Sequence, residues 1–347
     1  MPFKSERSLL RQTGWLGWAW LLVLLTTFCV QSLALFVPFL SMKEILEDET
    51  IYSLPNSVRL MWREKIYVVS ILIAFFSITF PFIKLASLYV AWVAIPPTRE
   101  RTTMLQWLCR LGKWSMLDPF IVILLMVLAS KQWVVQTQAF AGVYLFLAGI
   151  ASAIVLSTIA MQMDRNLNTN SDEPISTCNT KTMLLRESGW LSFVGPVTLF
   201  ISAVCFSVAL VQPFFKLNQF MFRQESYSIL ETVGALIESK QPALAALVAI
   251  TLILAPTIVL VMQCWLWVCP ASPARHERRN RRLRGVHEWC MLEVFALGLI
   301  LFEWEGRTMI NTDVKPGLWI IIGTIVMYYS GSFVSLTALE RITKKTR

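Results

Sequence analysis

The sequence predicts an all-α integral membrane protein: eight transmembrane helices built as two parallel, tandem four-helix repeats. Three observations predict it. Apolar residues make up 56% of the chain and charged residues only 15%, with a mean hydropathy of +0.58, whereas a soluble domain carries nearer a quarter charged residues. Several apolar runs reach the roughly 20 residues needed to cross about 30 Å of hydrocarbon. The chain also matches itself without a gap when Leu9, for example, is laid on Leu184, a constant shift along both halves.

The apolar segments run near 15–40, 66–95, 116–134, 139–161, 190–215, 242–269, 290–304 and 317–338. Each is expected to be a helix, because a lone strand cannot satisfy its backbone in lipid. The first run starts at Gly14, is too long for a signal-peptide core and contains no small-residue cleavage site, so it reads as a retained helix. Basic residues set the orientation. Lys4, Arg7 and Arg11 precede the first span; Arg99, Arg101, Arg110 and Lys113 follow the second. Arg275 to Arg284 follow the sixth, and Arg341, Lys344, Lys345 and Arg347 end the chain. With eight spans all four clusters fall on one side, which places both termini in the cytoplasm of a multi-pass protein. The opposite loop after the first span is acidic, with Glu44, Glu47, Asp48 and Glu49 offsetting Lys43. The net charge of +9 therefore reports topology rather than nucleic-acid binding.

The internal match joins residue types that hydrophobicity alone does not place in register. Gly14-Trp15-Leu16 meets Gly189-Trp190-Leu191, Pro38-Phe39 meets Pro213-Phe214, and Pro81 meets Pro256. Trp92 meets Trp267, Trp114 meets Trp289, Met116-Leu117 meets Met291-Leu292, and Gly142 meets Gly317. Four spans per copy give both copies the same orientation, as in parallel repeats. The expected organisation is a first unit at 1–161, a polar cytoplasmic linker at 162–181 and a second unit at 182–347.

Ionisable groups inside spans are costly and so mark candidate sites. Lys84 lies within the second apolar run, about 12–18 Å from its cytoplasmic end. Asp118 opens the third, in Trp114-Ser115-Met116-Leu117-Asp118-Pro119-Phe120. The two helices are joined by a short loop, so Lys84 is within reach of Asp118, and Lys84, Asp118 and Ser115 form the candidate transport site. The plainer reading is that Asp118 caps a helix whose first residue is Pro119 and that Lys84 snorkels to the interface. Glu293 is the second-copy counterpart of Asp118, but Val259 stands where the first copy has Lys84, so the second copy is expected to lack the basic partner. Pro81 and Pro256 are expected to kink their helices and to free backbone carbonyls. The tryptophans near span ends form an aromatic belt.

No phosphate-binding G-x-x-x-x-G-K-[ST] loop, nucleophile elbow or metal motif is present. The seven cysteines include no C-x-x-C pair, and the two histidines do not complete a zinc set. The expectation is no metal, no cofactor, no catalytic residue and no enzymatic activity.

The motifs together resemble the paraquat-inducible protein A family of inner-membrane proteins. The resemblance rests on Val37-Pro38-Phe39-Leu40 ending the first helix, Pro81-Phe82-Ile83-Lys84-Leu85 in the second, and Gly112-Lys113-Trp114-Ser115-Met116-Leu117-Asp118-Pro119-Phe120 opening the third. It covers nearly the whole chain. This member departs from the family in lacking the cysteine-rich zinc ribbons, since only Cys178 stands in such a region, so metal binding is not carried over. The resemblance implies a bacterial inner-membrane component that exchanges phospholipid with a periplasmic MCE-domain protein. Two other functions fit the residues: a proton-coupled transporter of a small solute using Lys84 and Asp118, and a non-transporting scaffold for envelope proteins.

Overall fold

A computed structural model describes residues 14–44, 50–63, 65, 67–95, 99–117, 119–121, 123–124, 135–169, 190–219, 223–270, 273–306, 312–314 and 316–346. The chain divides into two compact units, Met1–Glu173 and Pro174–Arg347.

The first unit opens with α1, Trp15–Phe36. Its buried residues Gly17, Trp20, Leu24, Thr27, Gln31 and Ala34 recur at alternating steps of three and four, a narrow stripe of the kind that packs on neighbouring helices. The remaining surface carries Trp15, Trp18, Leu22, Leu33 and Phe36, all exposed. Bare side chains of that size over a whole helix face suit lipid and not water. The strands β1 (Leu40–Glu44) and β2 (Thr50–Tyr52) follow, then the short helix α2 (Leu54–Arg63). The next span runs through α3 (Tyr67–Ile73), a π-helical turn (Ala74–Thr79) and α4 (Phe80–Val93). Helix α5 (Arg99–Gly112) leads into a 3-10 turn, Lys113–Met116. Strand β3 (Val135–Ala139) and helix α6 (Ala141–Thr169) complete the unit.

The second unit repeats this order. It contains α7 (Leu191–Val211), β4 (Phe215–Gln219), β5 (Arg223–Tyr227), α8 (Ile229–Glu238), α9 (Pro242–Val248), a π-helical turn (Ala249–Leu254) and α10 (Ala255–Val268). It ends with α11 (Pro273–His287), α12 (Leu292–Gly306), β6 (Thr312–Val314) and α13 (Pro316–Thr346). The short helices and the π turns fall in the same register as the sequence match, Leu54–Arg63 against Ile229–Glu238 and Ala74–Thr79 against Ala249–Leu254.

Six helices among the described residues are long and apolar enough to cross a membrane: Trp15–Phe36, Ser70–Val93, Ala141–Asp164, Ser192–Val211, Pro242–Val268 and Pro316–Ala338. Of the two other expected spans, most of 116–134 lies outside the described residues. The segment expected at 290–304 is α12, whose 15 residues reach only about 22 Å at 1.5 Å per residue.

Helices dominate, as expected, but the all-α expectation missed a small sheet in each unit. Strand β1 pairs antiparallel with both β2 and β3, with Leu40 opposite Tyr52 and Ala139. Strand β4 pairs in the same way with β5 and β6, with Phe215 opposite Tyr227 and Val314. Strands β1 and β4 do alternate, Leu40-Ser41-Met42-Lys43 and Phe215-Lys216-Leu217-Asn218, but they are five residues long and directly follow an apolar run, so the pattern merges with the end of the span. The sheet ties the loop after the first helix to the start of the last. There, Gly142 N–H donates to Pro38 O at 3.2 Å. A Cβ on Gly142 would sit 2.9 Å from Val37 O, and one on Gly317 would sit 3.0 Å from Gln212 O. The matched glycines are thus places where two backbones meet without room for a side chain. A further difference is that α6 extends to Thr169, so the expected linker at 162–181 begins as helix; its remainder lies outside the described residues.

Candidate functional site

The site in the first unit is organised by Pro81. Proline has no N–H to close a helical turn, and the helix accommodates it by widening into the π turn just before it. Phe80 N–H reaches back to Phe75 O, and Thr79 Oγ1 donates to Ala74 O at 3.0 Å, so side chain and backbone share the widened carbonyls. The π turn faces the third motif: the rings of Phe76 and Trp114 lie 6.1 Å apart. Pro81, Lys84, Leu85 and Leu88 are buried on one face of α4.

Lys84 is only 1% exposed, so it does not snorkel. Its ammonium packs on Gly112, where α5 tightens into the 3-10 turn. A Cβ on Gly112 would overlap Lys84 Nζ and sit 3.3 Å from its Cε. A helix C-terminus is a favourable place for a cation, and glycine leaves the space that the ammonium fills. Ser115 lies in the 3-10 turn; Asp118 lies outside the described residues. A second polar side chain, Gln31, is 1% exposed on α1 and packs against Gly149 of α6. Neither of its amide atoms has a hydrogen-bond partner among the described residues.

In the second unit Pro256 follows the matching π turn. Thr251 lies five residues before it, the spacing of a π-helical bond, so Pro256 leaves the Thr251 carbonyl without its intrahelical donor. That carbonyl accepts instead from Met291 N–H, at 3.4 Å, at the start of α12. The proline break therefore anchors the segment that carries Glu293. A water-sized cavity opens beside it, lined by Phe206, Pro256, Cys290, Glu293, Thr324 and Tyr329 among others. At the repeat shift those positions correspond to Gln31, Pro81, Ser115, Asp118, Gly149 and Ile154. Of the first copy's candidate residues, Pro81, Ser115 and Asp118 thus match one wall in the second, whereas Val259, at the position of Lys84, does not line it.

Glu293 accepts a hydrogen bond from the Tyr329 hydroxyl. The His287 ring lies 5.2 Å from that of Tyr328 and 5.3 Å from that of Tyr329. His287 occupies the position of Gly112, and the fully buried Val259 that of Lys84. The second unit thus has a buried valine where the first has Lys84, and a half-buried histidine at the end of the neighbouring helix.

One buried cluster was missed. Arg101 of α5 and Asp164 of α6 form an ion pair, each essentially without solvent exposure. Arg101 Nε donates to Asp164 Oδ1 at 2.7 Å, Thr102 Oγ1 to Oδ2 at 2.7 Å, and Arg101 Nη1 to Ile95 O at 3.5 Å. Sequence reading counted Arg101 as a loop charge, and Asp164 stands beyond the expected end of its span. The only available signal was a lone acid directly after an apolar run. Among the described residues no three His, Cys, Asp or Glu side chains converge to hold a metal.

Long apolar helices with large side chains bare on their outer faces, and polar groups buried behind a proline-broken helix, define a multi-pass membrane protein. Its kind is given by sequence comparison: the model of the family described as paraquat-inducible protein A matches residues 18–168 and again 196–334. The chain belongs to that family, with one match in each unit. No curated protein and no solved structure matches it.

Proposed function

We propose that the chain is the inner-membrane component of an envelope lipid-transport system, exchanging phospholipid with a periplasmic MCE-domain partner and catalysing no covalent chemistry. Cargo and partner follow from the family resemblance. The observation that carries the reading is that a basic group, Lys84, is buried on Gly112 within a span whose outer face is apolar. A buried cation beside lipid-facing helices suits the recognition of an anionic headgroup whose acyl chains stay outside the bundle. In this reading the short α12 and its first-unit counterpart are the third segments of two parallel four-helix repeats. The basic α11 and both termini lie in the cytoplasm, and the sheets lie in the periplasm.

The test is purification of the full chain from native membranes, followed by lipid mass spectrometry and capture of MCE-domain proteins. Stoichiometric phospholipid and a captured MCE protein are expected; finding neither sinks the reading. A proton-coupled small-solute transporter is the second reading, favoured by the water-sized cavity beside Glu293, which is too small for an acyl chain. It predicts solute-dependent proton flux in liposomes that Lys84→Ala abolishes. A scaffold predicts that Lys84→Ala and Asp118→Asn leave both function and complex formation intact.

A further inference from the structure

We propose that the exposed face of α11, carrying Arg275, Arg278 and Arg282, is a binding surface for the headgroups of anionic phospholipids in the membrane around the second unit. The inference needs only that Pro242–Val268 crosses the membrane, and it does not depend on the cargo, the protein partner or the orientation of the chain.

Helix α11 (Pro273–His287) sorts its residues by face. His276, Asn280 and Leu283 are buried, at the steps of four and three that mark one side of a helix. Arg275, Arg278 and Arg282 are exposed, at steps of three and four along another side. Among the described residues none of these three arginines forms an ion pair. Like charges at such spacings repel one another, and an external anion relieves the repulsion.

Arg279 fixes where this face lies relative to the bilayer. Its guanidinium carbon sits 4.2 Å from the centroid of the Trp265 ring, and its Nη1 donates to Cys269 O at 3.3 Å. Trp265 is exposed on α10, as are Val261 and Val268, so its ring belongs to the lipid-facing side of that span. Tryptophan at a span end sits at the level of the headgroups. Arg279 in turn adjoins Arg275 and Arg282, four and three residues away along the helix. The basic face is thus continuous with the apolar surface of α10 at the depth where phosphates lie. Guanidinium groups pair with phosphate through parallel N–H donors, and each basic residue near an anionic surface adds to the attachment.

A charge that served topology alone would need to lie beside the span, not along one face of a helix. The first unit supplies the comparison. Its α5 exposes Glu100, Thr103 and Trp107 at the positions matching Arg275, Arg278 and Arg282. Met104 and Val90 stand where the second unit has Arg279 and Trp265. The surface therefore belongs to the second unit and has no equivalent in the first.

The test uses the full chain in detergent at low ionic strength, titrated with phosphatidylglycerol or with phosphatidylcholine, with bound lipid counted by native mass spectrometry. Phosphatidylglycerol is expected to bind preferentially. Arg275→Gln combined with Arg278→Gln and Arg282→Gln should lower that preference about tenfold or more, given what each arginine adds at an anionic surface. Phosphatidylcholine binding should stay the same. Circular dichroism checks the fold, and Arg278→Gln with Arg282→Gln serves if the triple variant does not fold. Arg341→Gln combined with Lys344→Gln and Lys345→Gln removes the same charge from the end of the chain and should leave the preference intact. An unchanged preference in the folded α11 variant, or an equal fall in the C-terminal variant, overturns the proposal. So does an α11 variant that keeps the lipid but loses inorganic phosphate or an acidic peptide, since the face would then serve a soluble anion.

Discussion

The two units share a backbone plan and solve the same packing problems with different side chains. Where the first stacks Trp20 on Trp92, with ring centroids 4.0 Å apart, the second sets Gly195 against the Trp267 ring, whose Nε1 then donates to Ser335 at 2.9 Å. Where the first packs Gln31 on Gly149, the second has Phe206 and Thr324. Where the first has Lys84 over Gly112, the second has Val259 and His287. Only the last of these trades volume between the two positions; the first loses a ring and the second gains bulk on both sides, so each contact is closed with different neighbours. The comparison teaches that the backbone plan is the preserved quantity, while the side chains that fill each contact, and the helix that carries a basic group, differ between the units. Which helix supplies the group is free to change.

The largest expected effect separates the units at the buried ion pair. Arg101→Ala leaves Asp164 buried without its partner and should cost about 3–5 kcal/mol, read as loss of thermal stability by circular dichroism in detergent. Arg101→Met combined with Asp164→Leu, which copies the Leu339 of the second unit, should recover most of that loss. A recovery of nothing would mean that the pair does more than fill space.

A smaller effect tests the exchanged basic group. Gly112→Ala drives a methyl into Lys84 and should cost about 1–3 kcal/mol, as overpacking does, with rescue by Lys84→Val. Val259→Lys in the second unit should be tolerated only together with His287→Gly. If the paired changes are merely additive in a double-mutant cycle, the two contacts are not equivalents. The smallest effect is at Gln31. Its amide is buried without a partner among the described residues, so Gln31→Leu should leave stability unchanged or raise it by about 1 kcal/mol. A marked loss would show that the amide is held by a group outside those residues.

Much of this molecule was legible beforehand, and the reasons are local. An apolar run of sufficient length forms a helix in lipid whatever its neighbours do. Proline removes a backbone donor wherever it stands, so Pro81 and Pro256 announced a break. Gly142 and Gly317 were legible as a repeat match, and the structure shows why glycine stands there: two backbones meet without room for a Cβ. The sheets were not legible, since short polar segments between spans pair only when distant strands meet. The Arg101–Asp164 pair was hidden by a sequence separation of 63 residues. The π turns, too, are invisible in the hydrophobic pattern.

The order of the spans, the duplication and the cost of placing Lys84 among apolar residues were thus properties of the chain read one segment at a time. The environment of each charge was not. Whether Lys84 lies buried on Gly112 or reaches water, and what His287 packs against in the second unit, depends on how much room one helix leaves beside another. That room arises only from the packing of segments far apart in the chain, because steric exclusion acts between surfaces in contact and leaves no mark on either sequence alone.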